Sequence, residues 1–373
     1  MVNLSAGLPF TGNSAPAGVR RPAVSLTVGS GGPGGLGAGL AGNLLTLEDD
    51  FWASHWLSLR LDLGVAPFVD CLRVDYVSGG DTPEINLGDT LSLGLGYGDS
   101  GQSDVFQGTI TRHHHGLAGQ SSLYASGAGF SLSHLRLNQR YEQQTAGDIA
   151  SDMASQASVS TDKVESGNSL PFYGLLSHTP AYGHIAQLAR RCGYWAYIDP
   201  AGKLVFATAQ LGQAVQTFTY GADILTIDLR ETVPSVDAAV VAGEGAAGTQ
   251  GQAAANWLAE EGVRSQTGNG SHTRHISDGA LRNQAAIQSV ASSAVTSPVL
   301  TGSVWVAGTP AVTVGSTVTL LQLPQDSLNG DFLVRQVCHR LDKTRGFITQ
   351  LQVVKPGDAG LLSGALGSLG GLL

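Results

Sequence analysis

The sequence predicts a mainly β protein with a small α/β module, and three observations carry that expectation. Short apolar–polar alternations bounded by glycine recur along most of the chain, one central segment has helical spacing, and one strand-like heptamer occurs twice. At 373 residues the chain can hold two cores of ordinary size. Charged residues make up only 13% of it, about half the usual share, and 51 glycines supply turns. Few charges and many turn residues suit a β protein with much of its surface hidden in an assembly.

Taken in order, residues 1–21 form a Pro/Gly/Ser-rich arm with no expected fold of its own. Ala23 to Val28 reads as a strand, and the glycine-rich run from Gly29 to Gly42 reads as a linker. That run lacks the Lys-Ser/Thr of a phosphate-binding loop, and no helical pattern follows it. Leu57, Leu59, Leu61 and Leu63 alternate with Ser58, Arg60 and Asp62, which is a half-buried strand. Cys71 to Val77, Leu87 to Tyr97, Val105 to Arg112 and Tyr124 to Leu132 continue a run of antiparallel strands, hence a barrel or sandwich.

Arg136 to Ala207 reads differently, as helix, polar loop, helix and hairpin. Thr145 stands three residues before Asp148, a capping-box start, and Ile149, Ala150, Met153, Ala154 and Ala157 keep helical spacing. Thr179-Pro180 opens the second helix, with the proline expected at its first helical position. Ile185, Leu188, Ala189 and Cys192 form the buried stripe, and Gly193 ends it. Tyr194 to Ile198 and Lys203 to Phe206 form a hairpin around Asp199-Pro200-Ala201-Gly202.

Strands return at Phe218 to Leu229 and Asp237 to Ala242. Gly243 to Gly270 is expected to be a loop with a helical turn near Ala253 to Glu260, and Ser277 to Ala294 a helix with a thin apolar side. Pro298 to Val306, Val312 to Leu323, Phe332 to Arg340 and Phe347 to Val354 make a second strand set. Within it, Val314-Gly315-Ser316-Thr317-Val318-Thr319-Leu320 matches Leu87-Gly88-Asp89-Thr90-Leu91-Ser92-Leu93 in residue class throughout. Each heptamer precedes a glycine and a strand carrying arginine and histidine, Gly108 to His113 and Gly330 to His339. The physical reading is a duplicated barrel.

The central segment also carries a resemblance. The run AGDIASDMA, the helix end LARRCGYWAYID and the strand GKLVF resemble the baseplate hub proteins of contractile tails. These are the phage late-control D family, the hubs of extracellular contractile injection systems and the N-terminal part of VgrG spike proteins. The likeness runs from about Pro22 to Pro356, and its last part, from VGSTVTL to TQLQVV, resembles the closing strands of those hubs. It implies two related antiparallel β-barrels per subunit, with segments that interleave, in a homotrimeric ring of pseudo-sixfold symmetry. The implied organisation is an arm (1–21), a first barrel (22–135), the α/β module (136–206), a second barrel (207–355) and an apolar tail (356–373). The implied role is to match a sixfold tail tube protein to a threefold spike, with baseplate wedge or tape-measure proteins as further neighbours. Such a protein is assembled in the host cytoplasm and works in a virion tail or an extracellular injection particle.

Site chemistry is sparse. A net charge of −9, with lysine only at positions 163, 203, 343 and 355, offers no basic footprint for specific nucleic-acid binding. No catalytic signature, cofactor motif or signal peptide is present, and no apolar run reaches membrane-spanning length. Cys71, Cys192 and Cys338 are expected to be buried free thiols. His113 and His115 share a strand face that could take a metal, but no third ligand has suitable spacing, so a polar strand end is expected. His178 and His184 read as helix-surface or interface residues. The tail bears Leu361, Leu362, Leu366, Leu369, Leu372 and Leu373, which are candidates for holding a separate spike protein. The rival readings are a tail-associated enzyme or carbohydrate-binding module using Tyr194, Trp195 and Tyr197 as a groove, and a tail-tube adaptor.

Overall fold

A computed structural model describes residues 22–29, 51–98, 101–117, 119–231, 236–243, 263–279, 281, 284–295 and 300–355. The chain opens with β1 (Pro22–Gly29), a short helix α1 (Phe51–His55), β2 (Trp56–Gly64), β3 (Cys71–Val77), β4 (Thr90–Tyr97), β5 (Gly101–His115) and β6 (Gln120–Gly127). It passes through α2 (Gly129–His134), β7 (Gln139–Thr145), α3 (Ala146–Gln156), β8 (Thr161–Val164), β9 (Ser169–Leu175), α4 (Ala181–Cys192), β10 (Tyr194–Ile198) and β11 (Leu204–Thr208). After β12 (Ala214–Thr219) and β13 (Ile224–Glu231) come β14 (Ala238–Ala242), β15 (Arg264–Gly268), β16 (Thr273–Ser277) and α5 (Gln284–Val295). The last elements are β17 (Leu300–Ala307), β18 (Thr317–Leu321), β19 (Gly330–Asp342) and β20 (Gly346–Lys355).

Twelve of the described strands form one continuous sheet made of two series. The order β1-β4-β5-β6-β3-β2 is followed by β12-β18-β19-β20-β17-β13, and β2 pairs with the second half of β19 to join them. The two series correspond in detail. Gly88 (φ 96°) donates its N–H to the Ile110 carbonyl at 2.9 Å, and Gly315 (φ 82°) donates to the Val334 carbonyl at 2.8 Å. Register breaks fall at matching places as well, between Ile110 and Arg112 in β5 and between Val334 and Gln336 in β19. That register aligns Gly108 with Phe332 and His115 with His339, so the two glycines paired in the sequence reading are not equivalent. The match fails at the outer strands, since β1 runs antiparallel to β4 while β12 runs parallel to β18.

A single apolar core lies under both series and includes Leu61, Leu72, Leu93, Leu123, Val304, Val318, Val337 and Leu351. The central module has its own core, from Leu132 to Phe206, built where α3 and α4 pack on β7, β9, β10 and β11. The capping box at Thr145 is present: its hydroxyl accepts the Asp148 N–H, and the Asp148 carboxylate accepts the Thr145 N–H at 3.2 Å. A third, small core joins α5 to β14 and β15 through Val241, Ala286, Ile287, Val290 and Ala291.

Several expectations need correcting. Pro180 is the N-cap of α4 rather than its first helical residue, with an extended ψ of 155°. The predicted strand Tyr124 to Leu132 ends at Gly127, because Leu132 is buried from α2 into the module core. Phe218 to Leu229 is two strands around a turn in which Ala222 and Asp223 both donate to the Thr219 carbonyl. The polar loop between α3 and α4 contains β8 and β9, and the predicted loop from Gly243 to Gly270 contains β15. These strands are short or pair across long sequence gaps, so periodicity alone misses them. The glycine-rich linker, Ala253 to Glu260 and residues 356–373 lie outside the described residues.

Candidate interaction surfaces

The junction between the two series carries a row of charged side chains. Strand alternation sends Leu59, Leu61 and Leu63 of β2 into the core and turns Ser58, Arg60 and Asp62 to the other face. On that face, cross-strand register lines up Arg340, Arg60, Arg73, Tyr124 and Arg112 on β19, β2, β3, β6 and β5. Like charges directly opposite one another are unfavourable in a sheet. Here they are offset by neighbours on the same strands. Arg60 donates to both Asp62 oxygens at 2.7 and 3.1 Å, and Arg73 donates to Asp75 at 2.9 Å. Burial pushes the Asp75 carboxyl up, but hydrogen bonds from Ser122, Ser58 and Arg73 more than compensate and hold it below the usual carboxylate range. Arg112 lies 3.8 Å above the Tyr124 ring, and Arg340 lies 5.1 Å from the Trp305 ring. The result is a wide polar face spanning the junction, with Arg60 and Arg73 exposed on it.

His113 and His115 stand at the free side of β5. Their rings are 3.8 Å apart, and His113 Nε2 is hydrogen-bonded to the buried Tyr76 hydroxyl at 2.7 Å. Burial and the two neighbouring histidines lower the His113 pKa. Among the described residues no group of three or more His, Cys, Asp or Glu is placed to hold a metal ion. Cys192 and Cys338 are buried free thiols, whereas Cys71 is only half-buried on the polar face.

The module carries a cleft of about 440 Å³ whose lining includes Tyr173, Leu176, His178, His184, Gln187 and Arg191. His184 is buried, not on the helix surface as its sequence context suggested. Its Nδ1 lies 3.1 Å from the Tyr173 hydroxyl and its Nε2 lies 3.4 Å from the Leu176 carbonyl. Burial lowers its pKa, so it sits in the neutral form as a packing residue. Arg191 is 2.6 Å from Asp278, tying α4 to the segment before α5. The lining residues include no carboxylate that could serve with His184 as an acid–base pair.

The aromatic hairpin is not a groove. Ala196 and Ile198 are in the module core, Tyr194 packs edge-on to Phe206 at 5.5 Å, and Tyr197 packs against the main core. The Ala66 N–H donates to the Ala196 carbonyl at 2.7 Å, so the hairpin clamps the module to the sheet. The six tail leucines from Leu361 to Leu373 lie outside the described residues.

With this geometry in view, comparison places the chain in a family. The family model described as the Alg8 N-terminal domain matches residues 81–343, more than half of the sequence. The chain belongs to that family. No curated protein matches this Alg8 N-terminal family member in sequence. Among solved structures, the 43 kDa tail protein of prophage MuSo2 from Shewanella oneidensis is similar at TM-score 0.64 and 12% identity, covering 90% of this chain and 98% of the other. A tail protein from Neisseria meningitidis MC58 is similar at TM-score 0.64 and 16% identity, covering 90% and 97%. Prophage tail protein gp18 from Listeria monocytogenes is similar at TM-score 0.51 and 9% identity, covering 84% and 93%. At these identities the likeness is one of fold. Neither the family match nor these structures indicates a catalytic family, and among the described residues no helix is long and apolar enough to cross a membrane.

Proposed function

We propose that this Alg8 N-terminal family member is a structural hub at the end of a tail tube. In this reading the two strand series are two related barrels, and three copies form a ring of six barrels that joins a sixfold tube to a threefold spike. The observation that carries the reading is the repeated six-strand order, with its matched glycine turns and register breaks, within one continuous sheet. The fold shared with phage tail proteins supports a tail role, and the packing of Tyr194 and Tyr197 against the two cores speaks against a ligand groove there. The partners are a tube protein, a separate spike and baseplate wedge or tape-measure proteins, in a virion tail or injection particle. Light scattering with negative-stain class averages tests the core of this reading. A mass of three chains with a six-lobed ring is expected; a monomer at high concentration that makes no rings with added spike protein overturns it.

The tail, residues 356–373, is proposed to help hold the spike through Leu361, Leu362, Leu366, Leu369, Leu372 and Leu373. Burying six leucines on a partner removes apolar surface from water. Deleting residues 359–373 should release the spike in a pull-down while leaving the ring intact. Retention of the spike would remove the tail from the reading.

A further inference from the structure

The in-chain junction between β2 and β19 provides a template for a contact that a single copy leaves unmade. Beyond the stretch that pairs with β18, residues Gln336–Asp342 of β19 offer a free edge, and β2 occupies it. The first series has the same vacancy. Beyond Ile110, which bonds with Gly88 and Asp89, β5 pairs among the described residues only with β6, which leaves its other edge without a strand partner among them. The second series has the matching unused strand. β13 corresponds to β2: both are edge-most in their series, and both carry a register break near their start, between Trp56 and Ser58 and between Ile224 and Thr226. Among the described residues β13 pairs only with β17.

Transferring the in-chain register makes the missing contact specific. Leu61 faces His339 and Leu59 faces Leu341 at the junction; the equivalent pairs are Leu229 with His115 and Ile227 with Leu117. Leu63 facing Val337 becomes Glu231 facing His113, which sets a carboxylate beside an imidazole. Exposure follows the same pattern. Leu59, Leu61 and Leu341 are 4%, 1% and 3% exposed, whereas Ile227 and Leu229 are only half-buried and Leu117 is fully exposed. His339 is sealed beneath the junction, while its counterpart His115 is open to solvent. An open strand edge with flanking apolar side chains is a template for another strand.

We infer that β13 of one copy pairs antiparallel with the segment His113–Leu117 of a second copy, continuing the sheet from chain to chain. The occupant is a second copy because the two edges are complementary to each other and not to themselves, so the contact is head-to-tail. The inference rests on the hub reading for its closure at three copies. It also gives the histidine run a role as an interface strand.

The test is a double variant, Leu229→Cys with His115→Cys, treated with a mild oxidant or a short bismaleimide and run on a denaturing gel. Covalent species of two and three chains are expected, and each single variant, which retains Cys71, Cys192 and Cys338, should give none. Leu117→Asp, at a fully exposed position, should abolish assembly while keeping the circular dichroism of the folded chain. If the wild-type protein is trimeric in solution, yet the double variant does not cross-link and Leu117→Asp still assembles, the inference is overturned and the hub reading stands. A ladder extending past three chains supports the strand pairing and overturns the closed trimer. A wild-type protein that stays monomeric and never cross-links overturns both.

Discussion

Asp70 lies between β2 and β3, 3% exposed, accepting one hydrogen bond from the Gly64 N–H at 2.9 Å. Burial raises its pKa to about 8, and the single N–H offsets this only in part. His339 is buried against Thr349, and burial lowers its pKa to about 4. The two act oppositely on stability. Between the ordinary carboxylate pKa and pH 8, the unfolded chain has released the Asp70 proton and the folded chain holds it, so stability falls as pH rises. Between the ordinary imidazole pKa and pH 4, the unfolded chain takes up a proton that buried His339 refuses, so stability falls as pH falls. Below about pH 6.5 His339, joined by His113 and His184 whose pKa values are also lowered, opposes Asp70; above it the Asp70 slope is left, at up to about 1.4 kcal/mol per pH unit. Asp70→Asn keeps the acceptor for Gly64 without the charge. In urea titrations it should remove the loss of stability between pH 6.5 and 8 and uncover the histidine-linked loss below pH 6.5, to which His339, His113 and His184 all contribute. A wild-type stability that is flat from pH 6.5 to 8 would count against this account.

Helix α3 starts on a capping box, and Thr145→Ala removes both hydrogen bonds of the hydroxyl, the one it accepts from the Asp148 N–H and the one it donates to the Asp148 carboxylate. A cost of about 1 kcal/mol is expected by urea denaturation. The two matched turns of the large sheet offer a sharper comparison. Gly88 and Gly315 both adopt positive φ, which any side chain disfavours by about 1 kcal/mol. A Cβ at Gly88 meets nothing within 4 Å, whereas one at Gly315 would lie 2.6 Å from the Tyr197 hydroxyl. Gly88→Ala should therefore cost about 1 kcal/mol. Gly315→Ala should cost clearly more, because it also pushes the hairpin off the sheet. Equal melting temperatures for the two variants would mean that the hairpin is not docked through Tyr197.

Across the whole molecule, the same leucine position has two fates. Leu61 is sealed within the in-chain junction, and Leu61→Ala should lower the stability of the isolated chain by about 2–5 kcal/mol. Its counterpart Leu229 is only half-buried in one copy, so Leu229→Ala should cost the isolated chain less than about 1 kcal/mol and show its effect on assembly. Chemical denaturation at low and high protein concentration separates the two. If Leu229→Ala destabilises the dilute chain as much as Leu61→Ala does, the unpaired edge of β13 is already part of a finished core.

The amino-acid sequence by itself determined the strong local patterns. The alternation Leu57 to Leu63, the strand Cys71 to Val77, the Thr145–Asp148 cap, the Gly193 stop and the hairpin after it all follow from neighbours a few residues apart. The twin heptamers were legible too, because each must place a positive-φ glycine before a strand. What only the tertiary structure decided lies at long range. Short strands such as β8, β9 and β15 exist because distant partners accept their backbone groups. The burial of His184, the row of four arginines and Tyr124 across five strands, and the edges of β13 and β5 that have no strand partner among the described residues depend on which strands become neighbours. Local periodicity reports which face of a strand is apolar; it carries no record of what lies beside that strand.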